Sequence, residues 1–190
     1  MMKQILIEMS ARHIHINAEQ LEILFGKGHE LTPKKMLSQP GQFLSEEKVT
    51  VCGPKGELKV SILGPCRKET QLELSFTDAR ALGLTVPVRE SGDIKGSAPV
   101  TVKGPAGQYT VEEGAIAAMR HVHLDPQTAE LYGLKDKQVV SVKYDGGNRK
   151  LIFGDVVVRV SANYAPAMHI DTDEANAAGI AGTAEGEIIA

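Results

Sequence analysis

Two His-x-His motifs are the residues of this chain whose types and spacing best suit chemistry. His13 and His15 form the first motif, and His121 and His123 form the second, 108 residues further along the chain. On a β-strand, residues i and i+2 point to the same face, so the two imidazoles of each motif converge on one point. Imidazole is a ligand for zinc and several other divalent metals, so each motif predicts part of a metal site.

Each motif belongs to a longer internal repeat. The segment Arg12–Asn17 reappears as Arg120–Asp125, and a second pair of similar segments, residues 77–84 and 173–180, closes the two halves. Each closing segment is typical of a short helix, with an acidic or hydroxyl residue before it and a glycine after it. The repeat therefore predicts that the two halves of the chain have the same architecture.

The repeat also suggests a third ligand in each half. Aligning the closing segments through Thr77 and Asp173 places Glu73 opposite His169, just before the short helix of each half. Three protein ligands with an open fourth position are typical of catalytic metal sites. We therefore predict two three-ligand sets that face each other across the repeat interface: His13, His15 and Glu73, and His121, His123 and His169.

Other interpretations of these residue types stay open. A buried histidine can be a satisfied core residue, and a structural zinc site would need a fourth protein ligand, for which Cys66 is the candidate near Glu73. His29 has no repeat counterpart and no evident partner, so we expect it at the surface or at a helix end. Cys52 and Cys66 lack CxxC spacing, and we expect two small buried thiols in a reducing compartment.

The elements that must position the histidines are predicted to be mostly strands. Asp-Gly or Gly-Pro turns join alternating apolar runs into two hairpins, at Val49–Leu63 and at Val139–Phe153. The sequence thus predicts a mainly β fold with short helices, in which two pseudo-repeated small β-barrel domains are capped by short α-helices.

The predicted domain boundaries follow the repeat. We assign residues 1–86 to the first barrel half and residues 115–190 to the second. Residues 87–114, which are rich in glycine and proline, form the predicted connecting segment, with an added strand at Val100–Lys103.

The composition narrows the possible functions. The chain has 190 residues, is 42% hydrophobic and only 4% aromatic, and carries a formal net charge of −3, which gives no reason to expect nucleic acid as a partner. No apolar stretch approaches the length of a membrane span, and the N-terminus lacks the pattern of a signal peptide. We expect no membrane partner, a cytoplasmic location and a small-molecule substrate, with a homodimer compatible with small barrels and few aromatics.

A candidate anion site lies next to the first ligand set. Arg67 and Lys68 follow a Gly-Pro turn and precede Glu73 by a few residues. A guanidinium beside a metal suits bidentate recognition of a phosphate or a carboxylate, although an exposed cation in a turn is the alternative. The polar, glycine-containing loop Arg89–Ser97 could cradle phosphate through backbone N–H groups, but it matches no phosphate-loop signature.

Together these segments resemble the PduL family of phosphotransacylases, which are phosphate propanoyltransferases. The resemblance spans nearly the whole chain and rests on five segments: Ser10–His15, Arg67–Glu73, Arg89–Ser97, Arg120–His123 and His169–Asn176. It implies two small β-barrels capped by short helices, with a dinuclear zinc site between them. It also implies reversible acyl transfer between coenzyme A and inorganic phosphate, with propanoyl-CoA or acetyl-CoA as the thioester.

The resemblance implies the same two ligand sets for two Zn²⁺ ions, although His and Glu ligands also accept cobalt, iron or manganese. It implies that Arg67 is catalytic and holds the phosphate, and that Ser91 is a further phosphate contact. Many members of the family carry an N-terminal extension that targets a bacterial microcompartment. Here Arg12 and His13 come almost at once, so we expect a free cytoplasmic enzyme, with packaging through a partner still open.

Two other functions stay open from sequence. A dinuclear metal hydrolase, acting as a thioesterase or a phosphoesterase, would need the same two metals and an open water position. A metal-binding module without catalysis is the third interpretation.

Overall fold

A computed structural model describes residues 2–189 of the chain, and it contains fourteen strands and four short helices. The strands are β1 Gln4–Met9, β2 His13–His15, β3 Pro33–Met36, β4 Phe43–Cys52, β5 Glu57–Gly64, β6 Gln71–Glu73, β7 Val88–Arg89, β8 Ala98–Lys103, β9 Gln108–Ala118, β10 His121–Leu124, β11 Val139–Tyr144, β12 Leu151–Val160, β13 Ala167–Ile170 and β14 Thr183–Ile189. The helices are α1 Ala18–Phe25, α2 Phe76–Leu82, α3 Pro126–Tyr132 and α4 Thr172–Ala178.

The first closed sheet, called barrel 1 below, is a ring of six strands in the order β4-β5-β2-β6-β9-β8, with β8 pairing back to β4. Strand β2 runs parallel to β5 and antiparallel to β6. Strands β3 and β7 extend this sheet outside the ring by pairing with β4 and β9.

The second closed sheet, barrel 2, is a ring in the order β1-β13-β10-β12-β11-β14, with β14 pairing back to β1. Strand β10 runs parallel to β12 and antiparallel to β13, which is the arrangement of β2 with β5 and β6 in barrel 1. The predicted fold class, two small β-barrels with short helices, is therefore confirmed.

The strand just before each His-x-His motif pairs in the barrel that holds the other motif. Strand β1 directly precedes β2 in the chain but pairs with β13 and β14, and β9 directly precedes β10 but pairs with β6 and β8. One compact unit accordingly contains the residues up to Ala11, the segment Ser38–Pro40 and the residues from Met119 onward. The other contains Arg12–Leu37 and Gly41–Ala118.

These units differ from the contiguous stretches predicted from sequence. Strand β1, from the stretch 1–86, belongs to barrel 2, and β8 and most of β9, from the predicted connection 87–114, close barrel 1. The reason is physical: alternation along a strand determines which residues face the core, but it does not determine which strand pairs alongside.

The helices that close the two halves, α2 and α4, begin and end with the residue types that the sequence predicts. Ser75 caps α2 and Asp171 caps α4, each side chain accepting a backbone N–H three residues ahead. Both helices end at a glycine with positive φ, Gly83 at 75° and Gly179 at 69°. Glycine adopts this left-handed conformation without the steric cost of a Cβ, so both helices stop at equivalent places.

The middle residue of each His-x-His motif packs into an apolar core. Ile14 is fully buried in barrel 1, and Val122 is fully buried in barrel 2. Burying a side chain of this size stabilises the fold by about 1.5–3 kcal/mol. The alternation predicted for the motif is thus present, and it turns the flanking histidines to the opposite face. In residues 2–189 no helix combines the length and the apolar character that crossing a membrane requires.

Candidate metal sites

Strands β2 and β6 bring the first ligand set together in barrel 1. The register of this antiparallel pair puts His13 opposite Glu73 and His15 opposite Gln71, so these side chains share one face. The imidazole rings of His13 and His15 are 5.1 Å apart, and Nε2 of His13 lies 3.4 Å from Oε2 of Glu73. One donor atom from each of the three lies within 4.8 Å of the others.

Strands β10 and β13 bring the second set together in barrel 2. Here the register puts His121 opposite His169 and His123 opposite Ala167. The three ring centroids lie 4.6 to 5.3 Å apart, and their donor atoms again lie within 4.8 Å of one another. Glu73 and His169 therefore occupy the same place in their barrels, as the repeat alignment predicts.

Backbone contacts orient one histidine of each motif. Nδ1 of His15 donates to the carbonyl oxygen of Leu63 at 3.3 Å, and Nδ1 of His121 donates to that of Met119 at 2.8 Å. A carbonyl oxygen can only accept, so each ring carries its proton on Nδ1 and keeps a lone pair on Nε2. This tautomer is the one that a metal-ligating histidine needs.

The charge state of His15 also suits a ligand. Burial, the neighbouring His13 and the positive charge of Arg67 lower the pKa of His15 to about 3. The imidazole is consequently neutral at physiological pH, and metal binding does not have to displace a proton from it.

The donor chemistry of both sets fits a divalent cation. Imidazole and carboxylate are the borderline and hard donors that zinc accepts, at bonds near 2.1 Å. Tetrahedral bonds of that length separate two donors by about 3.4 Å, which is the distance found between His13 and Glu73. Cys66 is not among the donors of either cluster in the described residues, so the closed structural site with a fourth cysteine ligand lacks support.

A carboxylate lies near the candidate third ligand of barrel 2. Oε2 of Glu8, on strand β1, lies 3.8 Å from Nδ1 of His169 and accepts a hydrogen bond from Oγ of Ser38 at 2.5 Å. At 3.8 Å the carboxylate acts on the imidazole through its negative charge, which favours a cation at this place. Glu8 could not be identified from the sequence, because β1 joins barrel 2 from the first half of the chain.

Arg67 and Ser91, the predicted phosphate contacts, meet in barrel 1. Nη1 of Arg67 donates to Oγ of Ser91 at 3.4 Å, and the backbone N–H of Arg67 donates to the carbonyl of Ile16 at 2.9 Å. The Arg67 side chain is exposed, and its charge acts on His15. The structure therefore places an exposed guanidinium near the first ligand set.

A repeated ion pair joins the start of each His-x-His motif to the helix that closes its half. Arg12 contacts Asp78 on α2 at 2.8 Å, and Arg120 contacts Glu174 on α4 at 3.1 Å. Both carboxylates occupy the third helical position, next to the helix N-terminus, where negative charge is favourable. The two pairs tie equivalent elements in the two barrels.

The histidine and cysteines outside the two sets depart from expectation. His29 follows α1 and is half-buried, but it has a partner: its Nε2 lies 3.1 Å from Oε1 of the buried Glu47, and its ring stacks on Phe25. Cys52 and Cys66 are both free thiols, and both are only partly buried.

Comparisons with known proteins point to one family. Residues 6–181 match the family model described as phosphate propanoyltransferase. A phosphate propanoyltransferase of Thermotoga maritima is 52% identical over 175 residues, which cover 92% of this chain and 83% of the relative. The phosphate propanoyltransferase of Shewanella putrefaciens is 51% identical over 175 residues (92% and 82%), and that of Enterococcus faecalis 48% over 184 residues (96% and 87%).

Proposed function

The chain belongs to the phosphate propanoyltransferase family and is an acyltransferase, and from this premise we propose that it moves an acyl group between coenzyme A and inorganic phosphate. The acyl donors proposed are propanoyl-CoA and acetyl-CoA. The observation that carries the proposal is the Arg67–Ser91 contact beside the ligand set of His13, His15 and Glu73 in one barrel.

We propose that each ligand set holds one Zn²⁺ ion, with cobalt, iron or manganese as possible replacements. A bound zinc would act as a Lewis acid, which polarises a carbonyl and stabilises a leaving thiolate. The residues that would hold it are His13, His15 and Glu73 in barrel 1, and His121, His123 and His169 in barrel 2. The support is the donor chemistry and spacing of both clusters.

Arg67 is proposed to bind phosphate during the reaction. Its planar guanidinium can donate two parallel N–H bonds to phosphate oxygens, and the Ser91 hydroxyl adds a third donor. In the forward direction a phosphate oxygen forms a bond to the thioester carbonyl carbon as the carbon–sulfur bond breaks. The sulfur leaves with the electron pair of that bond and takes up the proton lost by phosphate, giving acyl phosphate and free coenzyme A.

A direct displacement suits this site better than an acyl-cysteine intermediate. Cys66 is the residue next to Arg67, but burial raises the pKa of its thiol. A thiol with a raised pKa is a poor nucleophile at neutral pH, because the thiolate is the reactive form. We therefore expect Cys66→Ala to retain turnover, which a covalent mechanism through this residue does not allow.

Thiol release from propanoyl-CoA, with and without inorganic phosphate, separates the three candidate functions. The proposed acyltransferase releases thiol only when phosphate is present. Release without phosphate would instead indicate the thioesterase alternative, and no release from metal-loaded protein would indicate a metal-binding module. Family membership favours the first result.

The role of Arg67 is tested in the same assay with a matched control. Arg67→Ala is expected to lower turnover at least about 100-fold, as does loss of a single donor to a developing charge in other enzymes, while metal content stays unchanged. Lys68→Ala removes the adjacent exposed cation and is expected to stay near wild type. Wild-type turnover of Arg67→Ala would rule out its proposed role.

The predicted homodimer and the predicted cytoplasmic or microcompartment location stay predictions. The first is measured by sedimentation of the purified chain, and the second by tagging the chain in cells.

A further inference from the structure

Gln71 lies beside the first ligand set and has no role in the function proposed above. It is on strand β6, two residues before Glu73 and directly opposite His15. Since residues i and i+2 of a strand share a face, Gln71 completes a square with His13, His15 and Glu73. Its side chain is almost wholly buried, with an exposed fraction of 3%.

Both ends of the Gln71 amide are engaged. Nε2 donates to Oε1 of Glu73 at 2.6 Å and to Oγ of Ser91 at 2.8 Å, while Oε1 accepts the backbone N–H of Gly92 at 2.6 Å. One side chain thus touches a candidate metal ligand and the loop that carries a candidate phosphate contact.

These partners fix the orientation of the amide. The backbone N–H of Gly92 is only a donor, so the atom facing it must be the amide oxygen, and the nitrogen then faces the accepting carboxylate of Glu73. The amide oxygen is thus the end of Gln71 that faces the loop, and the amide nitrogen is the end that faces Glu73. Its donation to Oε1 of Glu73 leaves Oε2 as the carboxylate oxygen turned toward His13.

Barrel 2 has no amide at this place. Ala167 is the counterpart of Gln71, because it lies opposite His123 as Gln71 lies opposite His15. A methyl group cannot donate a hydrogen bond. The hydrogen-bonded link from Glu73 through Gln71 to the Ser91–Gly92 loop therefore has no equivalent at Ala167 in barrel 2. The topology that the two barrels share does not require it.

We propose that Gln71 is a positioning residue that couples the metal-ligating carboxylate of Glu73 to the Ser91–Gly92 loop. Through Nε2 it selects the carboxylate oxygen offered to the metal, and through Oε1 it holds the loop beside Arg67. The phosphate part of this inference rests on the proposed function, whereas the carboxylate and loop parts do not.

The test replaces Gln71 with methionine, which has similar length but makes none of these three hydrogen bonds. Zn²⁺ affinity is measured by chelator competition in a chain that also carries His121→Ala and His123→Ala, so that the barrel 1 site is read alone. Loss of an outer partner of a ligand costs 10–100-fold in metal affinity, and Gln71→Met is expected to fall in that range. In the otherwise wild-type chain, hydrogen exchange of the Gly92 amide is expected to accelerate. The KM of that variant for phosphate is expected to rise by a larger factor than its kcat falls.

Gln39→Met is the matched control. Gln39 is equally buried, with an exposed fraction of 4%, and its amide makes two hydrogen bonds to the backbone of Ala165. It belongs to the other compact unit and contacts neither Glu73 nor Gly92 through a described hydrogen bond. We expect it to leave the barrel 1 zinc affinity and the Gly92 exchange unchanged, so an equal loss in both variants would overturn the proposal.

Gln71→Glu separates the two links. A carboxylate at this position still accepts the N–H of Gly92, so Gly92 protection is expected to return to near the wild-type value. Exchange as fast as in Gln71→Met would overturn the loop contact, and zinc affinity of Gln71→Met within twofold of wild type would overturn the carboxylate contact. Zinc affinity and Gly92 exchange can both be measured without turnover. If the chain showed no phosphate-dependent thiol release, the proposed function would be refuted, but these two measurements would still test the role of Gln71.

Discussion

Barrel 1 presents two imidazoles and a carboxylate on strands β2 and β6, whereas barrel 2 presents three imidazoles on the equivalent strands β10 and β13. The strand pairing around the two sets is the same, and the surroundings differ. Gln71, Ser91 and Arg67 lie around the first set. In the second, the Tyr164 ring packs against His123 at an interplanar angle of 30°, and Glu8 lies next to His169.

The two barrels place their candidate ligands at equivalent positions, whereas the charge at the third position differs. A divalent ion bound only by neutral imidazoles forms a site whose net charge is that of the ion. When one ligand is a carboxylate, the net charge of the site is lower by about one unit. The exposed Arg67 lies on the side with the carboxylate, so it restores positive charge where phosphate is proposed to bind.

The largest expected effect comes from removing one ligand in either barrel. His15→Ala and His123→Ala should each lower the metal content from about two ions per chain toward one. Each should also lower phosphate-dependent turnover by more than about 100-fold, the upper cost of losing an outer partner of a ligand. His29→Ala, which changes a histidine outside both sets, should keep both. Full metal content in His123→Ala would show that the three-histidine cluster is a packing feature.

Exchanging the third ligand tests whether the charge difference matters. Glu73→His makes barrel 1 resemble barrel 2, and we expect it to retain metal because imidazole is also a ligand. Turnover should fall about 10–100-fold, because the metal with its ligands loses one negative charge and the hydrogen bond from Gln71 to Glu73 is lost. Metal analysis with steady-state kinetics decides, and wild-type turnover would mean that the two barrels are interchangeable.

Replacing Glu8 tests the support that barrel 2 alone receives. The strand position of Glu8 beside His169 corresponds in barrel 1 to Ile116 beside Glu73. Glu8→Gln should weaken zinc binding by barrel 2 roughly 10-fold, since the amide removes the negative charge beside His169 that favours a bound cation. The measurement is chelator competition in a chain that carries Glu8→Gln together with His13→Ala and His15→Ala, so that only the barrel 2 site is read. The control combines Glu8→Gln with His121→Ala and His123→Ala, so that only the barrel 1 site is read. Equal weakening of both sites would contradict a local effect.

The smallest expected effect is a pH dependence of opposite sign in the two barrels. Burial raises the pKa of Glu47, but N–H donation from Thr32 and the contact with His29 outweigh it, so the net pKa is lowered. Burial is the main cause that raises the pKa of Glu174, against the opposing charge of Arg120.

Glu47 therefore stabilises the fold above the ordinary glutamate pKa of about 4.3, and this contribution, of order 1 kcal/mol, is lost as the pH falls below that value. Ionised Glu174 instead costs stability at neutral pH, and that cost disappears as the pH falls through its raised pKa. In denaturation curves taken from neutral pH to well below the ordinary glutamate pKa of about 4.3, the stability advantage of wild type over Glu47→Gln should shrink. Its stability advantage over Glu174→Gln should grow over the same range. Parallel curves for both variants would contradict the two shifts.

Much of the ligand arrangement could be predicted from sequence. The repeat offset between the His-x-His motifs, and the different offset between Glu73 and His169, correspond to the observed strand registers. The hairpin at Val49–Leu63 forms as β4 and β5, and Val100–Lys103 lies within β8. These features are local, since they depend on alternation, turn residues and spacing.

The remaining features depend on long-range pairing. No local pattern indicates that β1 joins the barrel of the other repeat, so Glu8 could not be placed beside His169 from sequence. Gln71 could have been found, because it lies two residues from Glu73 on the same strand face. Its contact with Gly92 could not, since that needs the loop to return to β6.

The most direct test of two separate three-ligand sites is the metal-to-protein ratio of the purified chain and of two double variants. We expect about two bound divalent ions in wild type, one in His13→Ala with His15→Ala, and one in His121→Ala with His123→Ala. A single ion in wild type, or loss of both ions when one pair is removed, would contradict this expectation.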